Sequence, residues 1–260
     1  MRKGQAGNIP VIARFTVVEA LRTRYGIILL LLTLLSFGLA QFLSQVAITE
    51  TAQIQRAVVA AVLRFSAVFL VALYIITSIS REFSDKVVEL MFSLPMPRGS
   101  YYLGKLAGYA MLATATAVVF SLLLLTVTPW AQAAMWGVSL VFELLLVCAA
   151  SLVLVLALNQ VTPAFCAVVA FYLLARSITA MQLMAHGPLV DGHSMASQLI
   201  ARLIDGMAFL LPDMSLFTRS DWLLYSTAQW QDLLPLLGQT AVYLALLSGV
   251  ALFDLYRRNI

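Results

Sequence analysis

Charge is what this sequence has least of. Only 11% of its 260 residues are Asp, Glu, Lys or Arg, whereas a soluble domain carries roughly 25%. A water-soluble chain of this size needs a polar shell, and too few polar residues are present to build one. Cysteine is also scarce: Cys148 and Cys166 both fall inside apolar runs and read as small buried hydrophobes, which argues against a disulfide framework or a thiolate metal site. There are two histidines and no His-Glu-x-x-His pattern, and no internal repeat or low-complexity stretch stands out. No cleavable signal peptide is expected, because the basic lead-in to the first apolar run, near Gly26, is followed by no small-residue cleavage site.

What the chain does have is apolar residues, 62% of the total, gathered into runs of membrane length. These predict six spans, at about 26–48, 57–80, 106–128, 135–158, 164–184 and 233–253. Ahead of them, residues 8–25 place Val11, Phe15, Val18, Leu21 and Tyr25 at helical spacing, with Arg14, Arg22 and Arg24 off that stripe. Pro10 suits a first-turn position behind Asn8. This predicts an amphipathic interfacial helix at the inner membrane surface. The segment 185–232 is semi-polar, but Leu199, Ile200, Leu203, Ile204, Met207 and Leu210 repeat with helical period. That pattern predicts short re-entrant or interfacial helices between spans five and six. Within this segment Asp221 reads as a helix cap, and Trp222, Tyr225 and Trp230 read as an outer aromatic belt. The expected fold is therefore an all-α integral membrane protein, one transmembrane domain over residues 1–260.

Basic residues set the expected orientation. Arg2, Lys3, Arg14, Arg22, Arg24, Arg81, Lys86, Arg98, Lys105, Arg257 and Arg258 share one side of a six-span chain, and only Arg56, Arg202 and Arg219 fall on the other. The positive-inside rule puts the larger group, and with it the N- and C-termini, in the cytoplasm. The net charge of +4 is explained by this asymmetry and does not point to nucleic acid.

The longest cytoplasmic stretch, 81–105, is the most informative. Val87, Val88, Leu90, Met91 and Leu94 predict a short amphipathic helix that Pro95 and Pro97 end. Such a helix fits a groove on a soluble partner or lies on lipid. Here Glu82 and Glu89 are followed by a hydrophobic run, Leu94-Pro95, then Arg98, then Gly104-Lys105. This pattern, together with the leading amphipathic helix and the excursion between spans five and six, resembles the ABC type-2 exporter permeases. Members often have Glu and Gly where this chain has Ser84 and Lys86. The resemblance implies that 81–105 is a coupling segment docking on a separate ABC ATPase subunit, through Glu82, Glu89, Leu94, Pro95, Arg98 and Lys105. It further implies two copies of the permease with two ATPase subunits in a bacterial inner membrane, with ATP and magnesium held by the partner. This chain would bind no cofactor and would not itself be an enzyme. The run from Gly99 to Lys105 mimics a phosphate loop, but Leu106 stands where Ser or Thr must hold magnesium.

Three charges fall inside predicted spans: Arg64, Glu143 and Arg176. Each must face protein or water and find a partner. All three lie at a similar depth from the outer ends of their spans, so Glu143 is expected to pair with Arg64 or Arg176. The pair either fixes helix packing or forms a polar constriction or anionic-headgroup site. His186 and His193, with Met181, Met184 and Met195 nearby, are weak candidates for a soft metal; their irregular loop spacing is ordinary for surface histidines, and no metal site is expected. Gly137-Val138-Ser139 loosely matches a serine-nucleophile motif, but span six contains no histidine to act as base. The competing function is a secondary transporter or channel that uses Glu143 for coupling. The apolar walls suggest an amphipathic or lipid-linked substrate.

Overall fold

A computed structural model of the chain describes residues 8–46, 51–85, 97–187, 195–218, 221–224 and 230–257. Among these residues there are no strands. The helices are α1 (Asn8–Arg22), α2 (Tyr25–Val46), α3 (Thr51–Ser84), α4 (Arg98–Leu124), α5 (Trp130–Leu158), α6 (Val161–Ala185), α7 (Met195–Leu210), α8 (Asp221–Leu224) and α9 (Leu233–Arg257). Six of them are long and apolar enough to cross a membrane: α2, α3, α4, α5, α6, and α9 with the short turn before it. The protein is an all-helical, multi-pass membrane protein.

Burial ranks the helices. The apolar window of α5 is 67% buried and that of α2 only 11%, so α5 is the hub and α2 a peripheral strut. Indeed α5 packs on α3, α4, α6 and α9. Its Leu140, Leu144, Val147, Cys148 and Leu152 enter one continuous core with Ile75, Ile76 and Phe120. At its end Asn159 takes a left-handed conformation (φ 53°). Asn tolerates that geometry better than most residues, and α6 starts two residues later.

Two expectations are corrected. First, α3 begins well before residue 57 and α4 well before residue 106, so polar stretches expected to be loops are helical. Gln55 Nε2 donates to the Ala40 carbonyl at 2.7 Å and Arg56 Nε to that of Val127 at 3.0 Å, so tertiary acceptors satisfy polar groups that hydropathy alone would place outside. On α1 the face that meets the bundle is distinct from the apolar stripe that the sequence places on the membrane surface. Val11, Phe15 and Leu21 are exposed, while Ile12, Ala13, Thr16 and Ala20 are buried on the side where α1 packs against α4. Gly104 and Gly108 on α4 make this possible. A Cβ at Gly104 would lie 2.7 Å from Ile12 Cβ, and one at Gly108 2.7 Å from Thr16 Cβ. Small residues of this kind let helix backbones approach closely in membrane proteins.

Second, Trp222 is not in an aromatic belt. It is buried with Met214, Phe217, Leu146, Ala175 and Leu236 in a second core. The segment around Leu216–Thr218 thus folds back into the bundle, where the Met214 amide donates to the Ala175 carbonyl at 3.2 Å. Trp230 is exposed, Tyr225 lies outside the described residues, and α8 begins at Asp221 itself. On α7, Leu199, Ile200, Leu203 and Leu210 are exposed and Ile204 is buried.

Candidate functional site

Two clusters of charge are buried in this bundle, one toward each end. Glu82 and Arg64 lie on the same helix, eighteen residues apart, which separates them by about 27 Å at 1.5 Å per residue.

The first cluster lies where α1, α3 and α4 meet. Lys105 is buried and its ammonium forms an ion pair with Glu82. Tyr101 donates to the other Glu82 oxygen at 2.7 Å. Glu19 on α1 lies 3.9 Å from the same ammonium and accepts a hydrogen bond from Ser78 at 3.0 Å, while Tyr109 donates to Ser78 at 3.1 Å. Nearby, Arg98 Nη1 donates to the Leu255 carbonyl at 2.9 Å, tying the start of α4 to the last turn of α9. Glu82, Arg98 and Lys105 were all expected on a cytoplasmic docking segment. They sit on the ends of spanning helices, where they meet protein groups. Glu89, Leu94 and Pro95 belong to the connection between these helix ends and lie outside the described residues, as does the helix expected around Val87–Leu94. The stretch Gly99–Lys105 that mimics a phosphate loop is the opening of α4.

The second cluster brings together Arg64, Glu143 and Arg176. Arg64 forms an ion pair with Glu143, and both are buried. Arg64 Nη2 donates to Ser139 Oγ at 3.0 Å. The Ser139 proton in turn has the Trp136 and Phe217 carbonyls within 3.0 Å. Tyr172 donates to the second Glu143 oxygen at 2.8 Å and accepts from Arg176 Nη1 at 2.9 Å. Arg176 itself lies 3.9 Å from Glu143, with its side chain 25% exposed. The guanidinium of Arg64 sits 5.1 Å from the Trp136 ring centroid and that of Arg176 4.7 Å from Phe65, within reach of a cation–π attraction. Every polar atom of Glu143 is thereby engaged, but the charges do not balance. Two guanidiniums share one carboxylate, leaving a surplus of one positive charge. Asp213 accepts from Thr179 and Ser215 and forms no ion pair with either arginine among the described residues. A charge at a helix centre costs about 2.5–3.5 kcal/mol on insertion scales, so the cluster is expensive to bury and must return structure or function.

Several participants went unread in the sequence, although their spacing marks them. Tyr172 lies four residues before Arg176, and Ser139 and Trp136 four and seven before Glu143, which puts each set on one helix face. Ser139, a loose match to a nucleophile motif, acts here as a brace for Arg64. At the other end Glu19, Ser78, Tyr101 and Tyr109 were not singled out. Tyr101 and Tyr109 lie four residues on either side of Lys105, and Ser78 four before Glu82, so spacing marks these as well; Glu19 alone is brought in by the packing of α1. His186 Nε2 lies 3.4 Å from Asp205 and its Nδ1 3.1 Å from the Gln182 carbonyl. Met195 opens α7 and is exposed, and His193 lies outside the described residues. Comparison with known protein families and with characterised proteins yields no match to this chain.

Proposed function

We propose that this chain is the membrane-spanning subunit of an ATP-driven ABC exporter, working as two copies with two separate ATPase subunits in a bacterial inner membrane. The observation that carries the reading is the convergence of Glu82, Arg98, Gly104 and Lys105 on one end of the bundle. They flank the connection that bears Glu89, Leu94 and Pro95. These are the residues through which the sequence resembles the ABC type-2 permeases. A push on that connection has stiff paths inward: α3 and α4 are clamped by Glu82 and Lys105, α4 is tied to α9 through Arg98 and Leu255, and α1 is held in the Gly104–Gly108 groove. ATP-driven closure of the partner subunits would thus be delivered to four helices at once. The positive-inside rule assigns this end to the cytoplasm, where the ATPase and its nucleotide reside.

A secondary transporter coupled through Glu143 is less well supported. A coupling carboxylate must load and release an ion, whereas Glu143 is fully buried and held by Arg64 and Tyr172.

Affinity purification of the tagged chain from its native membranes, in mild detergent, tests the proposal. The expected result is recovery of a stoichiometric ATP-hydrolysing subunit that is lost when 86–96 is replaced by a Gly/Ser linker. Purification without any nucleotide hydrolase, or labelling of Arg98→Cys only from outside the cell, overturns it.

A further inference from the structure

We infer that the Arg64–Arg176 cluster and the apolar groove beside it form a binding site for one anionic phospholipid, with its phosphate at the guanidiniums and an acyl chain in the groove. The inference stands apart from the exporter reading, since it uses α2, α3, α5, α6, α8 and the segment that folds back at Thr218.

Three observations carry it. The surplus positive charge calls for an anion, and while the Arg64–Glu143 pair is sealed, Arg176 is partly exposed: a small cleft lined by Ala57, Ala60, Trp136 and Thr218 has both Arg64 and Arg176 in its wall. Arg176 gives one nitrogen to Tyr172, and no other hydrogen-bond acceptor meets its guanidinium among the described residues. Its planar fork suits the oxygens of a phosphate. Next to this cleft runs a groove of about 590 Å³ between α2 and α3, lined by Ile28, Leu32, Val62, Phe69 and Phe165. That volume is within the range of roughly 300–1,000 Å³ typical of small-molecule sites, and the walls offer almost nothing but hydrocarbon. Ala61 lines both spaces. Phe65 lines the groove and also lies under the Arg176 guanidinium. The polar cleft and the apolar groove are therefore joined at two residues, as the head and tail of an amphiphile require. The alanines at 57, 60 and 61 leave the junction open. Because the groove opens along spanning helices, its surroundings are lipid, which favours a bilayer-borne anion over a soluble one.

The test is native mass spectrometry of the purified full chain in a neutral detergent, titrated with phosphatidylglycerol, with phosphatidylcholine of the same acyl chains, and with inorganic phosphate. Phosphatidylglycerol should bind more tightly than phosphatidylcholine by about tenfold, because the choline cation cancels the phosphate charge and is repelled by the surplus arginine. Arg176→Gln should erase that preference and Arg176→Lys should retain part of it. Ala61→Phe, which fills the junction and spares both arginines, should weaken phosphatidylglycerol by a similar factor. Thermal unfolding without lipid checks that each variant folds; should Arg176→Gln fail to fold, Arg176→Lys and Ala61→Phe decide the matter. Equal binding of the two lipids, a preference that survives in Arg176→Gln or is untouched in Ala61→Phe, or inorganic phosphate binding as tightly as the lipid would each overturn the inference.

Discussion

The two buried clusters are inverses of each other. Toward the end that carries α1 and the last turn of α9, two carboxylates, Glu19 and Glu82, share one cation, Lys105. Toward the other end, two cations, Arg64 and Arg176, share one carboxylate, Glu143. In each, a tyrosine donates to the carboxylate that makes the tight pair: Tyr101 to Glu82 and Tyr172 to Glu143. They differ in access to water. The side chains of Glu82 and Glu19 are 13% and 33% exposed, whereas that of Glu143 is fully buried. An ion pair near water can relax when a partner is lost, and one sealed in a bundle cannot. The first cluster is thus suited to a joint that is loaded and released, and the second to a fixed post with a spare positive charge.

The largest expected effect comes from removing the minority charge of the sealed cluster. Glu143→Leu leaves Arg64 buried without its partner and should cost about 3–5 kcal/mol, read as loss of folded protein after thermal challenge in detergent. The double change Arg64→Leu with Glu143→Leu removes both charges and should recover most of that stability. If the double variant is no better than Glu143→Leu, the pair is not the unit of stability here, and the contrast between the two ends fails.

The corresponding change at the other end, Lys105→Met, should cost less, about 1–3 kcal/mol. Glu82 keeps Tyr101, Glu19 keeps Ser78, and both carboxylates can draw on water at the bundle end. In a preparation that contains the proposed ATPase partner, the same change should also loosen the link between nucleotide hydrolysis and transport, because it unclamps α3 from α4. A Lys105→Met protein as damaged as Glu143→Leu would mean that the two sites are equally sealed.

Much of this architecture was legible in the sequence. The six spans follow from hydropathy, since lipid rewards long apolar helices and nothing else of their length occurs in the chain. The depth arithmetic for Arg64, Glu143 and Arg176 worked because rise per residue is fixed in a helix. Helix ends were harder to read. Gln55, Arg56, Arg98 and Lys105 look like loop residues but lie in helices, because acceptors from distant segments (Ala40, Val127, Leu255, Glu82) meet them. The packing face of α1 was not singled out in the sequence, for a reason peculiar to membranes. In water the apolar stripe marks the buried side. Here the large apolar residues Phe15 and Leu21 face outward, and the side packed against Gly104 and Gly108 is the one with small residues. Nor could sequence spacing show that the segment through Phe217 returns to the bundle, since that depends on a pocket assembled from α5, α6 and α9.

The finest comparison is between the two tyrosines, because Tyr→Phe removes a hydroxyl and leaves the ring. Tyr172→Phe deprives fully buried Glu143 of one donor and Arg176 of one acceptor. The described group in reach of each is the other, 3.9 Å away and beyond hydrogen-bond distance, and hydrogen bonds to charged groups are worth about 1.5–3 kcal/mol. Tyr101→Phe deprives Glu82 of one donor, but Lys105 stays in place and water can reach the freed oxygen, so the cost should be nearer the ordinary value of about 1 kcal/mol. Paired thermal unfolding in one detergent reads the difference directly, and Tyr172→Phe should unfold first. The reverse order would place the sealed site at the end that carries α1, and the lipid-facing cluster would then be the one with the freedom to move.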